Sequence, residues 1–402
     1  MEGLSSDAVI IGAGIAGVSL AEALRERGHS GSITLISDEQ SLPYDRPPLS
    51  KSALVEGTPP TLLQDESWFG DQGIRLVLAD KALMIEDRSI QLASGATIAF
   101  DQLVLATGTR ARRLPRFDAF DQETHYLRTA ADAARLGRAM CPGARVAVVG
   151  GGVIGLEVAA SAGRLGARAT VIEAGDRLMG RSLSKAGSAA LAAHHGANDV
   201  RLKLGVSISD VRRGDNKGLV IVLTDGEEIE ADLAVIGVGA EPNVDLALTA
   251  GLATDNGILV DEDGRTSRSD IFAIGDVARF PSSFHAETVR VEQWQHAVDH
   301  ARAVAGAMLG TSESYAHLPW FWSDQGDLSL QVVGRTDGDA EVERREGQGL
   351  VLFHLKQGRL VGATSFNLPR LRRPLAKLVV MGPAVDPDLL ADGATDLRSL
   401  AR

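Results

Sequence analysis

Two stretches decide the fold: Ala8-Val-Ile-Ile-Gly-Ala-Gly-Ile-Ala-Gly17 and Ala147-Val-Val-Gly-Gly-Gly-Val-Ile-Gly155. Each is a short β-branched run that ends in G-x-G-x-x-G, with Gly12, Gly14 and Gly17 in the first and Gly150, Gly152 and Gly155 in the second. Each leads into a helix-like stretch, 18–27 and 156–164, and then into a second β-rich run with an acid at its end. Those acids are Asp38, 26 residues past Gly12, and Glu173, 23 past Gly150. A lone G-x-G-x-x-G is no more than a tight turn. Between a strand and a helix, with an acid about 20 residues on, it is a dinucleotide fingerprint. The first glycine permits the turn, the second lets backbone approach a pyrophosphate, and the third lets helix pack on strand. The phosphates then meet the free N–H groups and the positive dipole end of the helix.

Two such sites in one chain predict two dinucleotides that exchange electrons. Glu173 would accept hydrogen bonds from a ribose 2′-OH and repel a 2′-phosphate, so the second site should prefer NAD(H). Arg177 and Arg181, close in sequence, could relax that preference.

Composition narrows the rest. The 402 residues suggest two to three domains at about 150 residues each. Glycine is abundant at 44 residues, whereas aromatics are scarce at 4 Trp, 3 Tyr and 10 Phe. The net charge of −12 argues against a nucleic-acid partner. A single cysteine, Cys141, excludes a disulfide framework, a Cys-only zinc site and a cysteine-ligated cluster within one chain. It also excludes any mechanism that needs a cysteine pair. No basic n-region precedes Asp7, and the apolar stretch 8–21 is shorter than the roughly 20 residues of a membrane span. A cytoplasmic protein with no membrane partner is expected.

Further motifs carry a resemblance. Leu103-Val-Leu-Ala-Thr107-Gly108 resembles the strand and turn at which the flavoprotein disulfide-reductase (glutathione-reductase-like) superfamily leaves its FAD domain. Ile271-Phe-Ala-Ile-Gly275-Asp276 resembles its second FAD motif, whose aspartate binds the ribityl chain. Pro43-Tyr-Asp-Arg46-Pro-Pro-Leu-Ser-Lys51, Leu127-Arg128-Thr129, Arg177-Leu-Met-Gly-Arg181 and Pro319-Trp-Phe-Trp322-Ser-Asp-Gln325 are similar to NADH-dependent ferredoxin reductases of bacterial oxygenase systems, those of biphenyl dioxygenase type above all. Part of the set is shared with apoptosis-inducing flavoproteins.

The resemblance implies FAD and NAD as cofactors. It places Lys51 near flavin N5, paired with Glu157, and Trp322 beside the isoalloxazine. It implies FAD contacts from Ala16, Asp38, Arg46, Ala82, Arg128, Asp276 and Trp294, with Ala16 and Ala82 acting through backbone. Trp294 stands where many relatives carry a different residue. The plainer readings are a solvated lysine, a surface glutamate and tryptophans that serve packing. The expected fold is α/β, with two doubly wound Rossmann-like dinucleotide domains and a small α+β C-terminal domain. The FAD domain would be discontinuous, 1–112 and 242–318. The NAD domain would span 113–241, closing at the turn around Gly239, and the C-terminal domain 319–402. Strands are expected at 328–334, 350–356 and 359–364, followed by a basic helix.

The acceptor decides the enzyme class. Relatives that reduce disulfides or peroxides need cysteines near the flavin motifs, whereas Cys141 lies in a loop far from them and reads as structural. Electrons should therefore leave singly for a partner, a [2Fe–2S] ferredoxin by resemblance. Asn367-Leu-Pro-Arg370-Leu-Arg372-Arg373-Pro-Leu-Ala-Lys377 carries four cations and no acid, and such a patch would steer an acidic ferredoxin. A second basic cluster spans Thr109–Arg116, and a solvated basic face is the dull reading of both. Rubredoxin, quinone or oxygen as acceptor, or a redox signalling role, remain alternatives, as do monomer and homodimer. His296 and His300 have i, i+4 spacing but lack the H-E-x-x-H glutamate, so no metal is expected there.

Overall fold

The structure is a computed structural model, which describes residues 7–214, 218–312, 315–316 and 318–401. The reading of the first six residues as lacking a basic leader lies outside the described residues. Ala8–Ile11 is a strand buried on both faces. Ala8 and Ile10 pack with Val18, Leu20 and Leu24 of the helix Ile15–Glu26, whereas Val9 and Ile11 pack with Leu103, Leu105 and Phe280. Burial on both faces is the mark of a parallel sheet covered by two layers.

The chain divides into two compact units: the described residues of 1–45, 60–110 and 240–317 form one, and those of 46–59, 111–239 and 318–402 the other. The first unit has five parallel strands in the order Ile271–Ala273, Gln102–Leu105, Ala8–Ile11, Ile33–Ile36 and Ile74–Val77. The second has Arg201–Leu204, Arg168–Glu173, Arg145–Val149, Leu233–Ile236 and Thr124–His125, again all parallel. In both, the fingerprint strand is central. The segment 46–59, which carries Arg46 and Lys51, groups with the second unit.

Both fingerprint helices start at once after the middle glycine, at Ile15 and Val153, earlier than the expected 18 and 156. Gly17 and Gly155 sit within the first turn, where low helix propensity hides the start from pattern reading.

The C-terminal part of the second unit is an antiparallel sheet in the order Trp320–Gln325, Leu328–Gly334, Arg359–Phe366, Gly349–Lys356 and Ala340–Glu346. The last two expected strands are longer than read, and two further strands join them. Ala340–Glu346 escaped because Ala-Glu-Val-Glu-Arg-Arg-Glu is a charged edge strand with almost no apolar alternation. Gln357 and Gly358 both have positive φ, 52° and 72°, as a two-residue hairpin loop that follows strand twist requires. The basic run forms a 3₁₀ turn, Pro369–Leu371, and the helix Arg372–Met381. Among the described residues, no helix is long and apolar enough to cross a membrane.

Candidate active site

Parallel strands send every loop from their carboxyl ends to one edge of the sheet, which is where dinucleotides bind. The first unit gathers Gly12–Gly17, Asp38, Thr107–Gly108 and Gly275–Asp276 at that edge. The second gathers Gly150–Gly155, Glu173 and the turn through Gly239.

The two fingerprints share one geometry. Gly12 has φ +110°, and a Cβ there would lie 2.2 Å from the Ala106 carbonyl oxygen. A Cβ on Gly17 would lie 2.0 Å from the Gly12 oxygen. In the second unit Gly150 has φ +108° and the matching distances are 2.3 Å to the Gly237 oxygen and, from Gly155, 2.2 Å to the Gly150 oxygen. The middle glycines differ in kind: a Cβ on Gly14 or Gly152 meets nothing within 4 Å. Each is the N-cap of its helix, and neither helix has a side-chain cap or an acid in its first turn. Both cradles thus offer open space beside uncapped amide donors, which fits a pyrophosphate in each.

At the first edge, Gly275 has φ +67°, and a Cβ there would lie 2.9 Å from Cβ of Ala16, which brings the Asp276 turn against the fingerprint helix. The Asp276 carbonyl accepts from Arg290 Nη1 at 3.1 Å. Thr107 is locked reciprocally: its Oγ1 donates to the Asn243 oxygen at 2.8 Å, and Asn243 Nδ2 donates to the Thr107 oxygen at 2.8 Å. The Gly108 oxygen accepts from Asn243 N–H at 2.9 Å. Asn243 has no motif of its own and was not read from sequence. Ile36 pairs with Ile11 as Ile172 pairs with Val149, so Ser37 holds the place of Glu173 and Asp38 lies one residue further, exposed. Ala82 is buried and pairs with Leu92 in a small antiparallel sheet. Trp294 donates from Nε1 to Asp45 Oδ1 at 2.8 Å.

At the second edge, Glu173 reaches into the fingerprint loop. Its Oε2 accepts from Gly151 N–H at 2.6 Å and its Oε1 from Gly175 N–H at 2.7 Å. Arg177 is turned to the Gly180 oxygen at 2.7 Å, while Arg181 is exposed. Gly239 has φ +110° and accepts from Arg112 N–H at 3.0 Å. Arg46 and Arg128, also in this unit, are half-buried, and Arg128 N–H donates to Asp132 Oδ2 at 3.1 Å.

The second unit also brings Lys51 and Glu157 together, at 2.9 Å between Nζ and Oε1. Glu157 is 3 % exposed, on the helix Val153–Arg164. A carboxylate so buried needs donors. Ser323 Oγ donates to its Oε1 at 2.6 Å, Ser50 Oγ donates to its Oε2, and Ser161 fixes Ser50 by donating to its carbonyl at 2.7 Å. Lys51 itself also donates to the Pro47 oxygen at 2.9 Å. Ser50, Ser161, Ser323 and Gln325 are the members that sequence reading missed. Strand alternation puts Trp320 and Trp322 on the face opposite Ser323 and Gln325. The two indoles stack at 5.1 Å and 19°, and the Arg372 guanidinium lies 4.0 Å above the Trp320 ring.

Of the four cations in this basic run, Arg372 is therefore engaged by an aromatic ring, and Arg370 pairs with Glu346 at 3.0 Å. Arg373 and Lys377 are exposed. His296 Nδ1 meets the Tyr315 hydroxyl at 2.7 Å, and His300 Nδ1 accepts from Gly275 N–H at 3.3 Å. No group of three His, Cys, Asp or Glu able to hold a metal occurs among the described residues. Cys141 is a free, exposed thiol.

Comparison with known proteins agrees with this geometry. Residues 6–301 match the pyridine nucleotide-disulphide oxidoreductase family, and 320–401 match the reductase C-terminal family. Rhodocoxin reductase of Rhodococcus erythropolis is 39 % identical over 97 % of this chain and 93 % of its own. The ferredoxin–NAD(+) reductase component of an anthranilate 1,2-dioxygenase system, from Burkholderia cepacia, is 39 % identical over 97 % of this chain and 98 % of its own. Among solved structures, the ferredoxin reductase for the CYP199A2 system of Rhodopseudomonas palustris superposes with a TM-score of 0.94 at 39 % identity, covering 98 % of this chain and 100 % of that one. The reductase in a covalent putidaredoxin reductase–putidaredoxin complex gives 0.93 at 32 % identity and 98 % of both chains. This chain belongs to the pyridine nucleotide-disulphide oxidoreductase family, among its ferredoxin–NAD(+) reductases.

Proposed function

We propose that this chain is an NADH-dependent, FAD-containing reductase that delivers single electrons to a [2Fe–2S] ferredoxin serving an oxygenase, in the cytoplasm. The observation that carries this reading is the pair of open-ended cradles, each built on an uncapped helix start, in a chain with one cysteine. FAD belongs to the first cradle. Gly12, Gly14, Ala16 and Gly17 form its pyrophosphate loop, Asp38 and Ala82 serve the adenosine end, and Thr107, Gly108, Gly275, Asp276 and Trp294 line its course. NAD(H) belongs to the second, held by Gly150, Gly152 and Gly155, with Gly239 and Arg181 at its margins. Glu173 is already fixed by two backbone amides, which supports its role as the ribose acceptor that repels a 2′-phosphate.

The chemistry a bound FAD would supply is uptake of a hydride from the nicotinamide and release of single electrons. The chain contributes position and charge. Lys51 supplies the cation for the flavin's reactive edge, and buried Glu157 holds that cation in place. By resemblance, Arg46 and Arg128 are further FAD contacts. Trp322 offers a flat apolar surface that excludes water. Arg373 and Lys377, with Arg370 and Arg372 behind them, form the docking face for an acidic ferredoxin. The chain serves in this role as a monomer or a homodimer.

The test is NADH oxidation in air with and without a bacterial [2Fe–2S] ferredoxin. Saturable stimulation by ferredoxin, with NADH far preferred to NADPH, is expected. Turnover indifferent to ferredoxin would point to oxygen, quinone or a signalling role instead.

A further inference from the structure

Glu157 is the end of a longer chain of hydrogen bonds, and the direction of that chain can be worked out. Gln325 Nε2 donates to Ser323 Oγ at 3.0 Å, and Gln325 Oε1 lies 2.7 Å from His195 Nε2. An amide oxygen can only accept, so His195 must carry its proton on Nε2. Ser323 then receives a bond from Gln325 and gives its own proton to Glu157. The opposite orientation of the Gln325 amide would place an acceptor against Ser323. The serine would have to turn its proton away from a carboxylate that is 3 % exposed. Every donor in the chain thus points towards Glu157. Its members are all buried: Ser323 and Gln325 are 0 % exposed and His195 is 1 % exposed. Burial holds the His195 pKa below its ordinary value, which favours a neutral ring whose single proton sits on Nε2. The chain is anchored twice more. His194 Nε2 meets the Gln325 backbone oxygen at 3.2 Å, and the Gln325 amide reaches Met179 Sδ at 4.0 Å.

We propose that Gln325, oriented by His195, is a positioning residue for electron transfer: through Ser323 it fixes Glu157 and thereby the cation of Lys51. This rests on the reading that Lys51 serves the flavin. The relay gives His195, on the distant helix Lys185–Ala197, a say in the charge at the reactive edge. A polarised chain of this kind stabilises the carboxylate more than its separate bonds would.

Two measurements test it. In the oxidised holoenzyme, ¹⁵N NMR of His195 should show the Nε2–H tautomer, and an Nδ1–H tautomer would overturn the orientation argued here. In the holoenzyme, Gln325→Leu and His195→Leu should each slow flavin reduction by NADH about tenfold. Each should also lower the two-electron flavin potential by about 30 mV, the equivalent of a tenfold change. His195→Gln, which can offer an N–H at the same place, should restore both. Lys51→Met serves as the reference. If Lys51→Met alters rate and potential but the Leu variants do not, the relay is refuted and the role of Lys51 stands. If Lys51→Met alters neither, the Lys51 reading falls and takes the relay with it.

Discussion

Gly152→Ala separates ligand space from fold space within one fingerprint. Gly152 has φ −84° and ψ −179°, an extended conformation open to any residue, and an added Cβ meets nothing within 4 Å. The change should therefore alter stability by no more than about 1 kcal/mol, the scale of exchanging glycine for alanine at an N-cap. The same methyl group occupies the space assigned to the NADH pyrophosphate. Displacing the phosphates by its width removes at least one charge-assisted amide bond, worth about 1.5–3 kcal/mol, so NADH should bind about 10- to 150-fold more weakly. Gly155→Ala is the counterpart, because its Cβ would lie 2.2 Å from a backbone oxygen. Its cost should be several kcal/mol of stability. Calorimetric unfolding and NADH titration of both holoenzymes read the contrast, with bound FAD as internal control. Unchanged NADH affinity in Gly152→Ala, or loss of FAD instead, would refute the assignment of the second cradle.

Glu173→Gln should raise kcat/KM for NADPH relative to NADH by at least about tenfold, since the charge that repels a 2′-phosphate is gone. Steady-state kinetics with both donors checks this. Arg373→Glu combined with Lys377→Glu should raise KM for ferredoxin and flatten its salt dependence, while the NADH-driven rate of flavin reduction stays unchanged. Stability should respond to pH through His125. Burial, aided by Arg135, lowers its pKa from 6.5 to about 4. The unfolded chain binds this proton first as pH falls, so the contribution is complete above pH 6.5 and is lost progressively towards pH 4. The slope in that window is up to about 1.4 kcal/mol per pH unit. Denaturant titrations of His125→Leu should show a shallower loss than the native chain between those limits.

The double fingerprint was legible because its residues are forced by backbone geometry. Gly12, Gly17, Gly150 and Gly155 each have a carbonyl oxygen where a Cβ would go, so the constraint is local and leaves a pattern in the chain. The pair Lys51–Glu157 was legible only by resemblance, because 106 residues separate its members and neither spacing nor periodicity links them. The polar residues around it show why the rest was hidden. Ser50 and Ser323 sit inside motifs already quoted, yet a serine in a loop and a serine in a strand look like ordinary solvent-facing positions. Their meaning comes from a buried carboxylate that needs donors, and this is a property of packing. Asp38 shows the limit of counting residues: strand register aligns Ser37 with Glu173 and sets Asp38 one step further along, an offset that spacing alone does not reveal. Asn243 had no signal at all, since its reciprocal pair of hydrogen bonds with Thr107 spans 136 residues.

One anaerobic experiment meets the central claim most directly. The enzyme with bound FAD is given a limiting amount of NADH and then an excess of oxidised [2Fe–2S] ferredoxin, and reduced ferredoxin is counted by EPR. A hydride carries two electrons and a [2Fe–2S] centre takes one, so two reduced ferredoxins should appear for each NADH consumed, with the flavin returned to its oxidised form. A flavin that stays reduced beside oxidised ferredoxin would contradict the account.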